Sequence, residues 1–192
     1  AIVHIIARNE NKELIDELEK KHNSRIFFYK SDATKFNSLN LASEKILHNT
    51  NNKLDILISN VGKGSVELDP LYSNKEWEDS WNTNFTSALN VIRVFSNVIY
   101  LNKGSITFIS SIAGIEFVGA PISYSTAKAA LNSFTKTLSQ KLAPNVRVNS
   151  VAPGNIWIEN GTWDLKQKEN SDGVQKMLNE KVPLNRFGLP EE

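Results

Sequence analysis

The chain has 192 residues, 22 basic against 21 acidic side chains, 40% hydrophobic residues and no cysteine, which supplies one globular core and excludes disulfides and thiolate metal sites. A net charge of +1 without a long basic run argues against nucleic acid or an anionic membrane surface as a partner. No apolar stretch has the length of a bilayer span, and Ala1–Ala7 runs into Arg8-Asn9-Glu10 without a signal-peptide pattern, so a cytoplasmic setting is expected.

Short Ile-, Val- and Phe-rich runs alternate with longer stretches whose apolar residues recur three and four apart. Strands are predicted at Ile2–Ala7, Arg25–Tyr29, Leu54–Ser59, Ser105–Ser110 and Val146–Val151, each nearly continuous in apolar character, as in strands buried on both faces. Helices are predicted at Glu10–Lys21, Ala33–His48, Glu76–Tyr100 and Ile122–Leu142. This order gives an α/β class: a Rossmann-type, doubly wound parallel sheet with helices on both faces and ligands at the carboxyl ends of the strands. After Val151 the alternation fails. Ala152–Glu180, with exposed-looking Trp157 and Trp163 and a short helical hint at Val174–Leu178, reads as a long loop. It is either a functional lid or a plain surface insertion.

Tyr124 and Lys128 are four apart at the start of a predicted helix, so their side chains share one face. Ser110-Ser111 ends an apolar strand at the same sheet edge, and Asn84 lies in the preceding long helix. A phenol, with an ordinary pKa of about 10, is a poor proton donor or acceptor at neutral pH until a neighbouring ammonium favours its charged form. Taken singly, each residue has an ordinary structural role: turn serine, packing amide, solvated lysine, half-buried tyrosine. The three histidines are scattered without ligand spacing, so no metal is expected.

Several motifs in order give the chain a strong resemblance to the short-chain dehydrogenase/reductase family. They are Gly104 through Gly114, Tyr124-x-x-x-Lys128, Asn84-Phe85, Asn149-Ser150-Val151-Ala152-Pro153-Gly154, Ser59-Asn60-Val61-Gly62, and Val182 through Gly188. The resemblance implies a catalytic set of Asn84, Ser111, Tyr124 and Lys128. Tyr124 would pass a proton to the carbonyl oxygen, Ser111 would hydrogen-bond that oxygen, Lys128 would hold the ribose hydroxyls, and Asn84 would hold a water feeding Lys128. It also implies cofactor contacts from Asp32 and Ala33, from Ser59, Asn60, Val61 and Gly62, and from Pro153, Gly154 and Ile156, besides Tyr124 and Lys128. Residues 152–182 would be the substrate-binding loop region of a single NAD(P)-binding domain spanning 1–192. Lys63 and Gly64 either line the cofactor cleft or form a simple turn.

At the end of the first strand, Ala7 stands where NAD-using relatives carry an acid, and Arg8 follows. A guanidinium suits the 2′-phosphate, so NADP is expected over NAD. The Gly-rich phosphate turn of the family is absent from these residues, and the chain opens at what aligns with the second strand. A fragment of a longer enzyme is therefore expected, with a central strand belonging between Ile2–Ala7 and Leu54–Ser59 and a last helix and strand after Glu192. Ile158 stands where many relatives carry a threonine, and Trp157 beside it adds bulk near the pocket. The function expected is an NADP-dependent oxidoreductase interconverting a small-molecule carbonyl and a secondary alcohol, assembled as a homodimer or homotetramer. The alternative is a non-catalytic NAD(P)-binding regulatory protein on the same scaffold.

Overall fold

The structure, a computed structural model, describes residues 1–64 and 73–192. Its elements are β1 (Ile2–Ala7), α1 (Lys12–His22), β2 (Arg25–Lys30), α2 (Phe36–Asn49), β3 (Ile56–Ser59), α3 (Asn74–Trp81), α4 (Ser87–Leu101), β4 (Ser105–Ile109), α5 (Ile122–Leu142), β5 (Arg147–Val151), α6 (Thr162–Glu169) and α7 (Ser171–Lys181). A π-helical turn, Asn82–Thr86, joins α3 to α4, and a 3₁₀ turn spans Ile112–Gly114. Helix-flanked parallel strands make this the Rossmann-like α/β fold expected from the alternating pattern.

Among the described residues, β1 pairs with β2, while β3, β4 and β5 form a second ladder, and every pairing is parallel. Both β1 and β3 keep one unpaired edge, and these are the strands between which a further one is expected from the sequence. Ile2, Val3, Ile56 and Ile58 are exposed.

One face of the longer ladder carries the core. Leu57, Ile106, Phe108 and Val148 point towards Leu39 and Ile46 of α2, Val91, Ile92, Phe95 and Ile99 of α4, and Leu131 of α5. Each such side chain contributes about 1.5–3 kcal/mol by leaving water. An aromatic series runs through the same layer, with ring centroids of Trp81 and Phe85 5.2 Å apart, Phe85 and Phe134 5.8 Å, and Phe134 and Phe108 5.8 Å. It ties the α3–α4 junction through α5 to β4.

The caps explain where the boundaries differ from the sequence pattern. Helix α1 starts at Lys12 because Asn11 accepts the Leu14 amide at 3.1 Å. Helix α2 starts at Phe36, not Ala33, because Asp32 Oδ1 accepts the amide and hydroxyl of Thr34 at 2.9 and 2.7 Å and holds a turn there. The expected continuous helix Glu76–Tyr100 is interrupted at Asn82–Thr86. The expected long loop after Val151 contains α6 and α7 instead: Asp164 accepts from the Asn160 amide at 2.7 Å and from Lys168 at 2.8 Å, and Asn170 caps α7 at Gly173. Trp157 and Trp163 are half-buried rather than exposed. Their rings lie 5.3 and 5.4 Å from that of Phe187, and residue 188 bridges back to Ile156.

Gly114 sets the distance between the 3₁₀ turn and α5. A Cβ there would meet the Lys128 carbonyl carbon at 2.6 Å and the Ala129 nitrogen at 2.7 Å. Gly114→Ala should therefore lower unfolding stability by about 1–3 kcal/mol, as overpacking does. Urea denaturation with an unchanged midpoint would show that the turn has room to move.

Candidate active site

The strand ends and the first turns of α5 bring the sequence-predicted catalytic residues to one region. Lys128, on α5, is 3% exposed, and its Nζ donates to the Ile109 carbonyl at the end of β4 at 2.8 Å. Burial pulls its pKa from 10.5 down to about 8. Tyr124 lies one turn earlier, with Lys128 Nζ 5.8 Å from its ring centroid. The two neighbouring serines have separate roles: Ser110 is buried and its hydroxyl donates to the Lys128 carbonyl at 3.3 Å, while the half-buried Ser111 accepts the Ala113 amide at 3.2 Å. Ser111 is thus the one left at the surface of the strand end.

Asn84 is fully buried and its amide is heavily used. Oδ1 accepts the Lys63 amide at 2.9 Å, and Nδ2 donates to the carbonyls of Lys63 and Ser80 at 3.1 and 2.9 Å. The side chain therefore clamps both backbone groups of Lys63 and, among the described residues, leaves one lone pair of Oδ1 for the expected water. Pi-helical turns inside α-helices commonly mark functional positions, and here the turn carries this amide.

The clamp draws the segment after β3 over Lys128. A Cβ on Gly62 would meet Lys128 Nζ at 3.1 Å and Asn84 Oδ1 at 3.2 Å, and one on Gly64 would meet the Tyr124 ring at 3.9 Å. Ser59 is buried at the end of β3, with Asn60, Val61 and Gly62 exposed beyond it. At the end of β5, the Pro153 carbonyl accepts the Ile112 amide at 3.1 Å, and Gly154 lies beside Ile112. Ile156 sits further on, in the bridge to Gly188.

Asp32 and Ala33 lie at the end of β2, away from Lys128 in sequence but on the same side of the strands. Burial pushes the Asp32 carboxyl up, yet the Thr34 hydroxyl and amide and the charges of Arg8 and Lys35 outweigh it and hold it below the ordinary value. Its Oδ2 has no protein hydrogen bond among the described residues. Asn90, which the sequence did not mark, is buried and donates to the carbonyls of Ala33 and Thr34 at 3.1 and 3.4 Å. Arg8 is exposed in the loop after β1. Among the described residues no group of three His, Asp or Glu side chains could hold a metal, and no helix is long and apolar enough to cross a membrane.

A match to the family model "short chain dehydrogenase" spans residues 1–169. The chain belongs to the short-chain dehydrogenase family. Similar curated proteins include a 3-oxoacyl-[acyl-carrier-protein] reductase of Aquifex aeolicus, 33% identical over 94% of this chain and 71% of the relative. Another is a tropinone reductase homolog of Arabidopsis thaliana, 31% identical over 100% of this chain and 71% of the relative. The L-sorbose reductase of Gluconobacter frateurii, solved with NADPH and L-sorbose, shares the fold with a TM-score of 0.88 at 24% identity, covering 99% of this chain and 76% of that one. As a short-chain dehydrogenase the protein is an NAD(P)-linked oxidoreductase acting on CH–OH groups.

The site residues fit such a cofactor. The backbone of Gly62 lies against Lys128 and Asn84, the Arg8 guanidinium and Asp32 carboxylate follow the ends of β1 and β2, and the Lys128 ammonium reaches the end of β4 from α5, groups suited to phosphate, an amino group and hydroxyls.

Two outcomes follow from this geometry. Asn84→Ala would orphan the Lys63 backbone groups, so the protein should lose about 1–3 kcal/mol of unfolding free energy; denaturation matching wild type would show that the clamp is dispensable. The Lys128 charge is disfavoured in the fold, so its cost is fully present below a pH of about 8 and is relieved as pH rises towards 10.5. Unfolding free energy measured against Lys128→Met should therefore move in favour of the wild type across that window. A pH-independent difference would contradict the assigned burial.

Proposed function

We propose that the protein is an NADP-dependent reductase and dehydrogenase that interconverts a small-molecule ketone or aldehyde and its alcohol, with Asn84, Ser111, Tyr124 and Lys128 as its working set. The observation that carries this is the buried Lys128 ammonium, 5.8 Å from the Tyr124 ring centroid and covered by the backbone of Gly62. A module that only binds a dinucleotide has no need of a charge buried beside a phenol.

When bound, the nicotinamide supplies or receives the hydride at the substrate carbon. In reduction, Tyr124 donates its hydroxyl proton to the carbonyl oxygen as negative charge develops there. Ser111, at the surface of the β4 end, hydrogen-bonds the same oxygen and lowers the cost of that charge. Lys128 stabilises the phenolate left on Tyr124 and offers its remaining ammonium protons to the ribose hydroxyls. Asn84 acts as a positioning residue: by fixing Lys63 it holds Gly62 and Gly64 against Lys128 and Tyr124. In the alcohol-oxidising direction the same proton returns to Tyr124.

The remaining contacts follow the strand ends. Asp32 Oδ2 would receive the adenine amino group beside Ala33. Ser59 through Gly62 would run along the adenosine ribose, Pro153, Gly154 and Ile156 along the nicotinamide, and Arg8 would favour the 2′-phosphate of NADP. Residues 152–182, with α6 and α7, would cover the substrate in a single domain over 1–192. A cytoplasmic homodimer or homotetramer completes the proposal, and it rests on the family resemblance.

Tyr124→Phe should lower kcat for carbonyl reduction by at least about 10²-fold, the lower range of general acid catalysis, while NADPH still binds. Retained turnover would remove Tyr124 from the proton transfer. A wild-type protein that binds NADPH without oxidising it across a panel of carbonyl compounds would favour the regulatory reading instead.

A further inference from the structure

A cleft of about 520 Å³ opens beside the ends of β1 and β2, lined by Arg8, Asn9, Glu10, Phe28 and Lys30. Lys30 is the last residue of β2 and is in register with Ala7, the residue just before Arg8. The two cations therefore enter one cleft from neighbouring strands, and both are exposed. Neither takes part in an ion pair among the described residues, where the pairs are Lys168–Asp164, Lys176–Glu180 and Arg186–Glu192. Glu10 is the one carboxylate of the lining among the described residues, and the Asp32 carboxylate also interacts with the Arg8 charge, so Arg8 alone is offset and Lys30 supplies the further positive charge an anion needs.

A lysine on an edge strand commonly serves only to discourage edge-to-edge pairing, and such a lysine points into solvent. Lys30 is exposed too, but it also lines the cleft that Arg8 shares. A phosphomonoester carries close to two negative charges and three acceptor oxygens at neutral pH, which is more than one guanidinium neutralises. Arginine meets two of those oxygens in a fork, and an ammonium supplies a compact charge for the third. Phe28 adds an apolar wall against which a nucleoside edge can rest.

We propose that Lys30 is a second specificity-determining residue, which holds the 2′-phosphate of NADP together with Arg8. The proposal rests on the NADP reading given above and sharpens it, because preference for the phosphorylated cofactor is then divided between two strands. Glu10 in the lining and Asp32 near Arg8 oppose part of that charge and set an upper bound on the preference.

Calorimetric titration tests this without turnover. Dissociation constants for NADP, NAD, 2′-AMP, 5′-AMP and inorganic phosphate are measured at fixed ionic strength in the wild type, Lys30→Ala and Lys30→Arg. Lys30→Ala should weaken NADP and 2′-AMP about tenfold, the scale of one lost charge-assisted hydrogen bond, and leave NAD and 5′-AMP within about twofold. Lys30→Arg should recover most of the loss. Equal weakening of all nucleotides would make Lys30 a structural residue, and unchanged NADP binding would make it a bystander; either overturns the proposal while the NADP reading stands. Inorganic phosphate binding as tightly as 2′-AMP would reduce the cleft to a general anion site. Tighter binding of NAD than of NADP by the wild type would overturn both readings.

Discussion

The Lys128 ammonium is 3% exposed and donates to one backbone carbonyl, that of Ile109. Taking such a charge out of water is costly, and the cost is met only where the surroundings are fixed in place. Much of the local architecture serves that end. The Ile109 carbonyl is available because β4 stops there, the Gly114 turn packs against the backbone of α5 at Lys128, and Ser110 donates to the Lys128 carbonyl. Tyr124 reaches the same place because it precedes Lys128 by one helical turn.

The second fixed contact is the Asn84 clamp. A strand end followed by a glycine-containing segment is free to wander, yet here both backbone groups of Lys63 are held by one buried amide. The π-helical turn that carries Asn84 is anchored in turn by the aromatic series from Trp81 to Phe108. Asn90 does the same for the segment after β2, binding the Ala33 and Thr34 carbonyls. Two asparagines of the α3–α4 stretch therefore hold two of the strand-end loops, the ones proposed above to contact the dinucleotide.

Much of this could be read before any coordinates. The first four strands have short, nearly continuous apolar runs that mark them, while Val146–Val151, interrupted by Arg147, Asn149 and Ser150, is placed by its order after a helical stretch. The pair Tyr124 and Lys128 was visible as a helical spacing, and Ser111 as a strand end. What could not be read depends on contacts across the fold. The hydrogen bonds of Asn84 to Lys63 span 21 residues and those of Asn90 as many as 57, and no local pattern announces them. The interruption of the helix at Asn82–Thr86 is equally silent: Asn, Thr and Phe are only weak helix formers, and no proline marks a break there. Helix α6 escapes the sequence pattern, and α7 shows in it only as the short hint at Val174–Leu178, because Gly161, Asn170 and Gly173 read as loop residues, although Asn170 in fact caps a helix. Trp157 and Trp163 seemed exposed because their partner, Phe187, comes from more than twenty residues further along.

The buried, titration-shifted ammonium is the central claim, and its own proton can be followed directly. In protein labelled with ¹³C at the lysine ε-carbons and free of cofactor, the Lys128 resonance, assigned by its absence in Lys128→Met, is followed over pH. A midpoint of about 8 is expected. A midpoint near the ordinary 10.5 would mean a solvated lysine, and the account of a charge buried to serve Tyr124 would fail.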